Sequence, residues 1–362
     1  MKRVYNFNPG PAVIPGPVLE RVRGELDDLG GSGLSILEHS HRGELYSSIH
    51  QGAIDRLRRL MNIPARYSIL LMQGGASLQF ALIPLNLLKE GRTGLYVVTG
   101  AWSQKALEEG GRIGAVRAVA SSADRAHSVI PDLSSYEPDP ESAYLHLTSN
   151  NTIYGTQWRH FPQPSSVPLI ADMSSDILSR EIDIESFALI YAGAQKNMGA
   201  AGLTVVLIRD DLLEACRRDL PRILSYRTFA SSNSLYNTPP TFTIYLFDLM
   251  LEWIDSRGGL RTLEKESRSK AECLYSVIDG SDGFYSGLAE PQHRSRMNVT
   301  FRLPSADLER RFLEQAEKQG FIGLKGHRSI GGVRASLYNG LPLEAVEKLA
   351  VFMKVFRSGS VP

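Results

Sequence analysis

The sequence predicts an α/β protein built on a mainly parallel seven-stranded sheet, with a smaller α/β domain at its C-terminal end. Three observations carry this. Seven short apolar runs punctuate residues 67–210, and helical stretches separate several of them. The runs are apolar nearly throughout, as strands covered on both faces are. The chain has 362 residues, more than one ordinary core holds, so two domains are expected. The division reads as an N-terminal arm (1–15), a large domain (16–255) and a small C-terminal domain (256–362).

The elements follow in order. "NFNPGPAVIPGP" is Gly- and Pro-rich and reads as an extended arm, leading to a short helix from Val18 to Leu29. Gly33 to Gly43 reads as a loop, and Glu44 to Met61 as a helix. The seven strand candidates are "YSILLMQ" (67–73), "GLYVVTG" (94–100), "AVRAVAS" (115–121), "AYLHLTS" (143–149), "PLIADMSS" (168–175), "FALIYAGA" (187–194) and "LTVVLIRD" (203–210). Helices are expected at Ala76–Leu88 and Trp102–Glu109. No helix fits between the last two runs, so one antiparallel strand is expected. Residues 230–242 are polar and Pro-rich and read as a long loop. Helices at Thr243–Ile254 and Leu260–Ile278 come next. The tail offers strands at 297–303, 322–326 and 332–338, with helices at 306–320 and 343–356.

Composition excludes several function classes. Forty basic residues against 39 acidic ones give a net charge of +1, so no global field draws nucleic acid or an anionic membrane. No apolar stretch is long enough to span a bilayer, and the N-terminus has no apolar signal core. The two cysteines, Cys216 and Cys273, have no metal-ligand spacing and make no disulfide framework. A cytoplasmic protein without a metal site is expected.

Ligands of open α/β sheets bind at the carboxyl ends of the strands. Three strand ends here carry unusual residues. Gln73-Gly74-Gly75-Ala76-Ser77 joins a strand to a helix start, where backbone N–H groups and the helix dipole suit a phosphate. Asp172 closes "PLIAD", and Lys196 follows "YAGAQ". Taken singly, these are a common turn, a helix cap and a solvated lysine. Together they meet the needs of pyridoxal 5′-phosphate: an anion cup, a lysine for its aldehyde, and a carboxylate that keeps its ring nitrogen protonated. Trp102, just after a strand, is the candidate to stack on the ring.

The motifs "NPGPA", "GAW", "SNNTIYGTQW", "ADMSSDILSR", "YAGAQKNMG", "YNTPPTF" and "GHRSIGGVRASLYN" span the chain from arm to tail. In this set the sequence resembles the phosphoserine aminotransferase family, which is fold-type I, class V and pyridoxal-phosphate-dependent. The resemblance implies Lys196 as Schiff-base lysine, Asp172 as partner of the ring nitrogen and Trp102 as its stacking ring. It implies Thr152 near the cofactor's 3′-oxygen. Ser174, Gln195, Gly75, Ala76 and Ser77 would lie around the ring and phosphate. Asn237 and Thr238 would reach the cofactor phosphate of a second subunit, which makes a homodimer with shared sites. Arg334 would clamp the substrate α-carboxylate, and His41, Arg42, His327 and Arg328 would form the site for its distal anion, since arginine forks onto carboxylate and phosphate. The implied reaction moves an amino group between glutamate and 3-phosphohydroxypyruvate, a step in serine synthesis, with a related four-carbon phosphate acid on the route to vitamin B6.

Other readings stay in view. A cysteine desulfurase needs a nucleophilic cysteine on a mobile loop and usually a histidine before its lysine; here Gln195 precedes Lys196. An alanine–glyoxylate-type aminotransferase has no need of four extra cations. A dehydrogenase or nucleotide-binding module would need G-x-G-x-x-G or a Walker lysine after Gly74-Gly75, and neither is present.

Overall fold

The computed structural model describes residues 4–162 and 165–360. In chain order its elements are β1 (Tyr5–Asn6), α1 (Gly16–Glu25), α2 (Glu44–Leu60), β2 (Tyr67–Met72), α3 (Gly75–Leu87), β3 (Gly94–Val98), α4 (Ala101–Gly111), β4 (Val116–Ser121), β5 (Tyr144–Thr148), β6 (Asn150–Asn151), β7 (Thr156–Gln157), β8 (Leu169–Asp172), β9 (Leu189–Gly193) and β10 (Thr204–Arg209). Then come α5 (Asp210–Ala215), α6 (Tyr226–Ser231), α7 (Thr241–Ser256), α8 (Gly259–Asp279), β11 (Ser286–Gly287), β12 (Asn298–Arg302), α9 (Ala306–Lys318), β13 (Phe321–Ile322), β14 (Val333–Ser336) and α10 (Leu343–Ser358).

The large sheet has seven strands in the order β2-β10-β9-β8-β5-β3-β4. Only β10 runs antiparallel to its neighbours, as its short link to β9 dictates. Side chains alternate along each strand between two apolar layers. Ile69, Leu71, Leu145, Leu147, Ile190, Ala192, Val205 and Leu207 meet α2 and α7 on one face. Leu70, Met72, Tyr96, Tyr144, Ile170, Leu189, Tyr191 and Val206 meet α3, α4 and α6 on the other. Apolar residues on both faces explain the unbroken apolar runs of the sequence.

A second core gathers around the three-stranded sheet β11-β12-β14 and helices α8, α9 and α10. Phe312 packs edge-on against Phe301 and Phe356 within it.

Three expectations need correction, and the extended arm proves to be tied down: β1 pairs in parallel with β13, Tyr5 opposite Phe321, and Phe7 is fully buried among the C-terminal residues. A buried phenylalanine stabilises by about 1.5–3 kcal/mol, enough to hold the arm there. The first helix runs over Gly16–Glu25 rather than to Leu29; the backbone is already extended at Asp28 (φ −146°, ψ 97°), and Leu29–Gly31 form a separate 3-10 turn. The long loop expected at 230–242 shrinks to 232–240, because Tyr226 and Phe229 bury as α6 and α7 already starts at Thr241. The strand expected at 322–326 is only the two-residue β13 plus one bridge from Lys325 to Val333.

Candidate active site

Six strands of the large sheet are parallel, so their carboxyl ends open on one side, and the turns that leave them carry the polar residues. At the end of β2, Gly74 adopts φ 95° and Gly75 φ 68°, left-handed geometry natural to glycine. A side chain at Gly74 would also strike Leu78 Cδ2 at 2.3 Å. This tight turn presents the first N–H groups of α3, with Gly75, Ala76 and Ser77 in the opening turn. No side chain caps α3 and no acid lies in its first turn, so those donors stay available to an anion.

At the end of β3, Trp102 opens α4. Its indole Nε1 donates to Thr152 Oγ1 at 3.1 Å, so two of the expected cofactor residues meet. Thr152 lies in the turn of the β6–β7 hairpin, an element the sequence reading did not contain. The hairpin is placed by a buried hydrogen-bond net: Asn151 Nδ2 donates to Thr99 and Thr156, and Asn150 Nδ2 donates to Ser175 and Asn298.

At the end of β8, Asp172 is 6% exposed. Its Oδ1 accepts from the backbone N–H of Ser174 at 2.9 Å and from Ser174 Oγ at 2.6 Å. Ser174 Oγ in turn accepts from the Gly193 N–H at 3.1 Å. Burial raises the Asp172 pKa, while Lys196 and the Ser174 hydrogen bonds oppose that rise.

Beyond β9, Lys196 keeps part of its surface open, as a lysine that meets a ligand must. Desolvation lowers its pKa, while Asp172 and Asp176 raise it. The arm closes this turn from behind. A side chain at Gly10 would touch Lys196 Cγ at 3.4 Å, and Ala12 N–H donates to the Gln195 carbonyl at 2.9 Å. Gln195 itself folds back over Gly193, where a Cβ would sit 2.5 Å from Gln195 Oε1. Asn197 is buried and accepts from the Asn339 N–H at 3.0 Å, tying the lysine turn to the C-terminal core.

Arg334 reaches the site from β14. It is 7% exposed, donates through Nη1 to the Thr152 carbonyl at 3.3 Å, and leaves Nε without a partner. An unpaired buried guanidinium N–H is costly alone, which fits a site awaiting an anion. Burial, and after it Arg334, Arg328 and Lys105, lower the pKa of His327, so these three cations lie near its ring. Lys105 sits over the Trp102 ring, 4.8 Å from its centroid. Among the described residues no carboxylate forms an ion pair with Arg334, Arg328 or Lys105.

Other residues fall elsewhere. His41 and Arg42 lie in the loop before α2, and no hydrogen bond or ion pair links them to Lys196, Asp172 or Trp102 among the described residues. Asn237 and Thr238 line a hollow of about 340 Å³ beside Gln73 and Gly74 of their own chain, and Asn237 Oδ1 is buried without a partner. The sequence reading missed Asp176 and Lys105. Asp176 stands two residues past Ser174 and could have been found in "DMSSD". It is 5% exposed and accepts from Ser149 and from Gln157 Nε2. Lys105 carried no signal, being one lysine on an ordinary helix.

The residues present fit pyridoxal 5′-phosphate. Lys196 would take its aldehyde, Asp172 its ring nitrogen, Trp102 its ring face and the start of α3 its phosphate; the uncapped helix start and the desolvated lysine beside a buried carboxylate are the donor set it needs.

Comparison with known proteins gives the same direction. The aminotransferase class-V family model matches residues 4–349. A phosphoserine aminotransferase of Geobacillus kaustophilus is 55% identical over 357 residues, covering 99% of both chains. One of Lysinibacillus sphaericus is 51% identical, covering 98% of both. The solved phosphoserine aminotransferase of Bacillus circulans subsp. alkalophilus superposes with a TM-score of 0.98 at 50% identity, covering 100% of both chains. The PLP-bound phosphoserine aminotransferase of Trichomonas vaginalis gives 0.92 at 38% identity, covering 97% of this chain and 100% of that one. An alanine–glyoxylate aminotransferase from Nostoc, at 16% identity, shares the fold. With its Lys196–Asp172 pair at the carboxyl edge of a fold-type I sheet, this chain belongs to the class-V aminotransferases.

Proposed function

We propose that the chain transfers the amino group of glutamate to 3-phosphohydroxypyruvate, giving O-phosphoserine and 2-oxoglutarate, with pyridoxal 5′-phosphate as cofactor. The observation that carries this substrate reading is the group of cations that bear on His327, namely Arg334, Arg328 and Lys105, the last of them over the Trp102 ring, with no carboxylate ion-paired to any of the three among the described residues. Pyruvate or glyoxylate brings only its α-carboxylate to satisfy them, whereas a phosphorylated acceptor adds a phosphate carrying close to two charges.

When bound, the cofactor supplies an electron sink for the charge left as the substrate Cα proton departs. The protein's own groups do the rest. Arg334 orients the substrate through its α-carboxylate, using the fork that now leaves Nε unpaired. Lys196 Nζ, biased toward the neutral amine by desolvation, would take up the substrate Cα proton and hold it for delivery to the carbon that keeps the amino group. Asp172, which accepts two hydrogen bonds from Ser174, would face the ring nitrogen and favour its protonated form. Trp102 is held by Thr152 and flanks the site.

The site reads best as shared between two subunits of a cytoplasmic homodimer, with His41, Arg42, Asn237 and Thr238 serving the neighbouring site. Leu34 and Leu37 near the first pair, and Ile223 and Tyr236 near the second, are exposed apolar side chains suited to an interface. The related four-carbon phosphate acid on the route to vitamin B6 is the expected second substrate.

The direct assay follows 2-oxoglutarate release from glutamate with 3-phosphohydroxypyruvate, against pyruvate and glyoxylate as acceptors. The phosphorylated acceptor is expected to lead by at least about 100-fold in kcat/KM, as two charge-assisted contacts allow. Equal rates would overturn the substrate assignment.

A further inference from the structure

The β12–β14 ladder has two chemically different faces. Strand alternation turns Val299, Phe301, Val333 and Ala335 into the C-terminal core. It turns Asn298, Thr300, Arg334 and Ser336 the other way, and these polar side chains are buried as well, none more than 7% exposed. The polar face lies against the β6–β7 hairpin, where Asn150 Nδ2 donates to Asn298 Oδ1 at 2.8 Å. Thr300 and Arg334 are register partners across the ladder, so their side chains leave the sheet side by side. Both end on the turn of that hairpin. Arg334 Nη1 donates to the Thr152 carbonyl at 3.3 Å, and Thr300 Oγ1 donates to the Tyr154 carbonyl at 3.0 Å.

The turn is shaped to receive that hydroxyl. Gly155 adopts φ 77°, a left-handed conformation that favours glycine. A Cβ there would overlap Thr300 Oγ1 and lie 3.1 Å from the Asn298 carbonyl oxygen, so glycine is what lets β12 approach. The Gly155 carbonyl accepts from the Ser295 N–H at 2.7 Å. On its other side the same turn meets the cofactor residues, because the Thr152 hydroxyl accepts from Trp102 Nε1. One short turn therefore holds Trp102 by a side chain and Arg334 by a carbonyl. The Arg334 bond is long, so it places the guanidinium only as firmly as the turn itself is placed. Thr300 is the side chain that grips the turn from directly beside Arg334.

We propose that Thr300 is a positioning residue for substrate binding: by anchoring the Thr152–Gly155 turn through the Tyr154 carbonyl, it sets where the Arg334 fork stands. The inference rests on the reading of Arg334 as the clamp for the substrate α-carboxylate. Amino donor and acceptor both carry that carboxylate, so Thr300 serves the two alike, unlike the residues of the distal anion site. A carboxylate gripped equally before and during the reaction contributes to KM and not to kcat, so a misplaced fork raises KM and spares kcat.

Holoenzyme variants test this. Thr300→Val removes the hydroxyl and keeps the branched shape, whereas Thr300→Ser keeps the hydroxyl. Thr300→Val is expected to raise KM for glutamate and for 3-phosphohydroxypyruvate by about fivefold each, the scale of one neutral hydrogen bond, with kcat within about twofold of wild type. Thr300→Ser should restore both KM values. A merely structural role would lower the melting temperature and leave both KM values in place, and that result overturns the inference. Equal losses in Thr300→Val and Thr300→Ser overturn it too, as does a loss confined to one substrate. If Thr300→Val does not fold, Thr300→Ala takes its place, and Ala and Ser variants with the same KM values overturn the inference. Arg334→Ala separates the two layers of the argument. If it binds both substrates as the wild type does, the carboxylate reading fails; if it is impaired while Thr300→Val is not, this inference alone fails.

Discussion

Two desolvated lysines in this molecule have opposite surroundings, and the contrast shows what marks a reactive one. Lys270 lies inside α8, is 1% exposed, and donates to the carbonyls of Tyr338 at 3.0 Å and Leu341 at 3.1 Å. Burial pushes its pKa down to about 8. Lys196 stands on a turn at a strand end, keeps some exposure, and donates to no protein acceptor among the described residues. Two buried carboxylates, Asp172 and Asp176, support its charge instead of carbonyls. Desolvation lowers both pKa values. What differs is occupancy: the Lys270 amine is committed to a turn, and the Lys196 amine is left for a ligand. A depressed lysine pKa alone would have nominated both.

Substitutions at the two sites should separate these roles. The largest effect is expected for Lys196→Ala. Turnover should fall by at least about 1,000-fold, the scale of losing a positioned general base and covalent anchor together. Its stability should change little, because no hydrogen bond is lost. A rate within tenfold of wild type would return Lys196 to the class of Lys270. Next comes Arg334→Ala, which should raise KM for glutamate and for the phosphorylated acid alike by roughly 100-fold, since charge-assisted bonds of about 1.5–3 kcal/mol each are lost. A smaller and selective loss is expected for Arg328→Ala: about tenfold for the phosphorylated acid and less for glutamate, as one contact from an exposed side chain to the more highly charged ligand implies. Equal losses for both substrates would take Arg328 out of the distal anion site.

The smallest effect sharpens the contrast from the other side. Lys270→Met should leave turnover near wild type but change how stability depends on pH. The folded Lys270 gives up its proton near pH 8, whereas the unfolded chain holds it to the ordinary lysine value of 10.5. Between these limits the unfolded state binds more protons, so this group's contribution to stability rises with pH. Urea denaturation of wild type and Lys270→Met across pH 7.5–10.5 should therefore diverge, with the wild type gaining relative to the variant. Parallel curves would show that Lys270 is not buried as a cation.

Much of this was legible in the sequence because its signals were local. The seven strands announced themselves by apolar runs, and the short link from β9 to β10 forced the antiparallel strand. Lys196, Asp172 and the double glycine sat at strand ends, where position alone gives them meaning. What escaped depended on distant partners. Nothing near Tyr5 reveals that it will lie beside Phe321. The β6–β7 hairpin holds only two residues per strand, too few for any periodicity. Lys105 became notable only when α4 set it over Trp102 and near His327. His146 and Tyr191 passed as ordinary strand residues, since the 3.0 Å contact between them across the sheet needs the strand register to be read.

The central claim is that one amine, that of Lys196, holds the cofactor. Holoprotein would be reduced with sodium borohydride, digested and examined by peptide mass spectrometry. The account predicts a reduced pyridoxal-phosphate adduct on the peptide containing Lys196 and none on Lys270 or Lys105. An adduct on another lysine, with Lys196 unmodified, would contradict it.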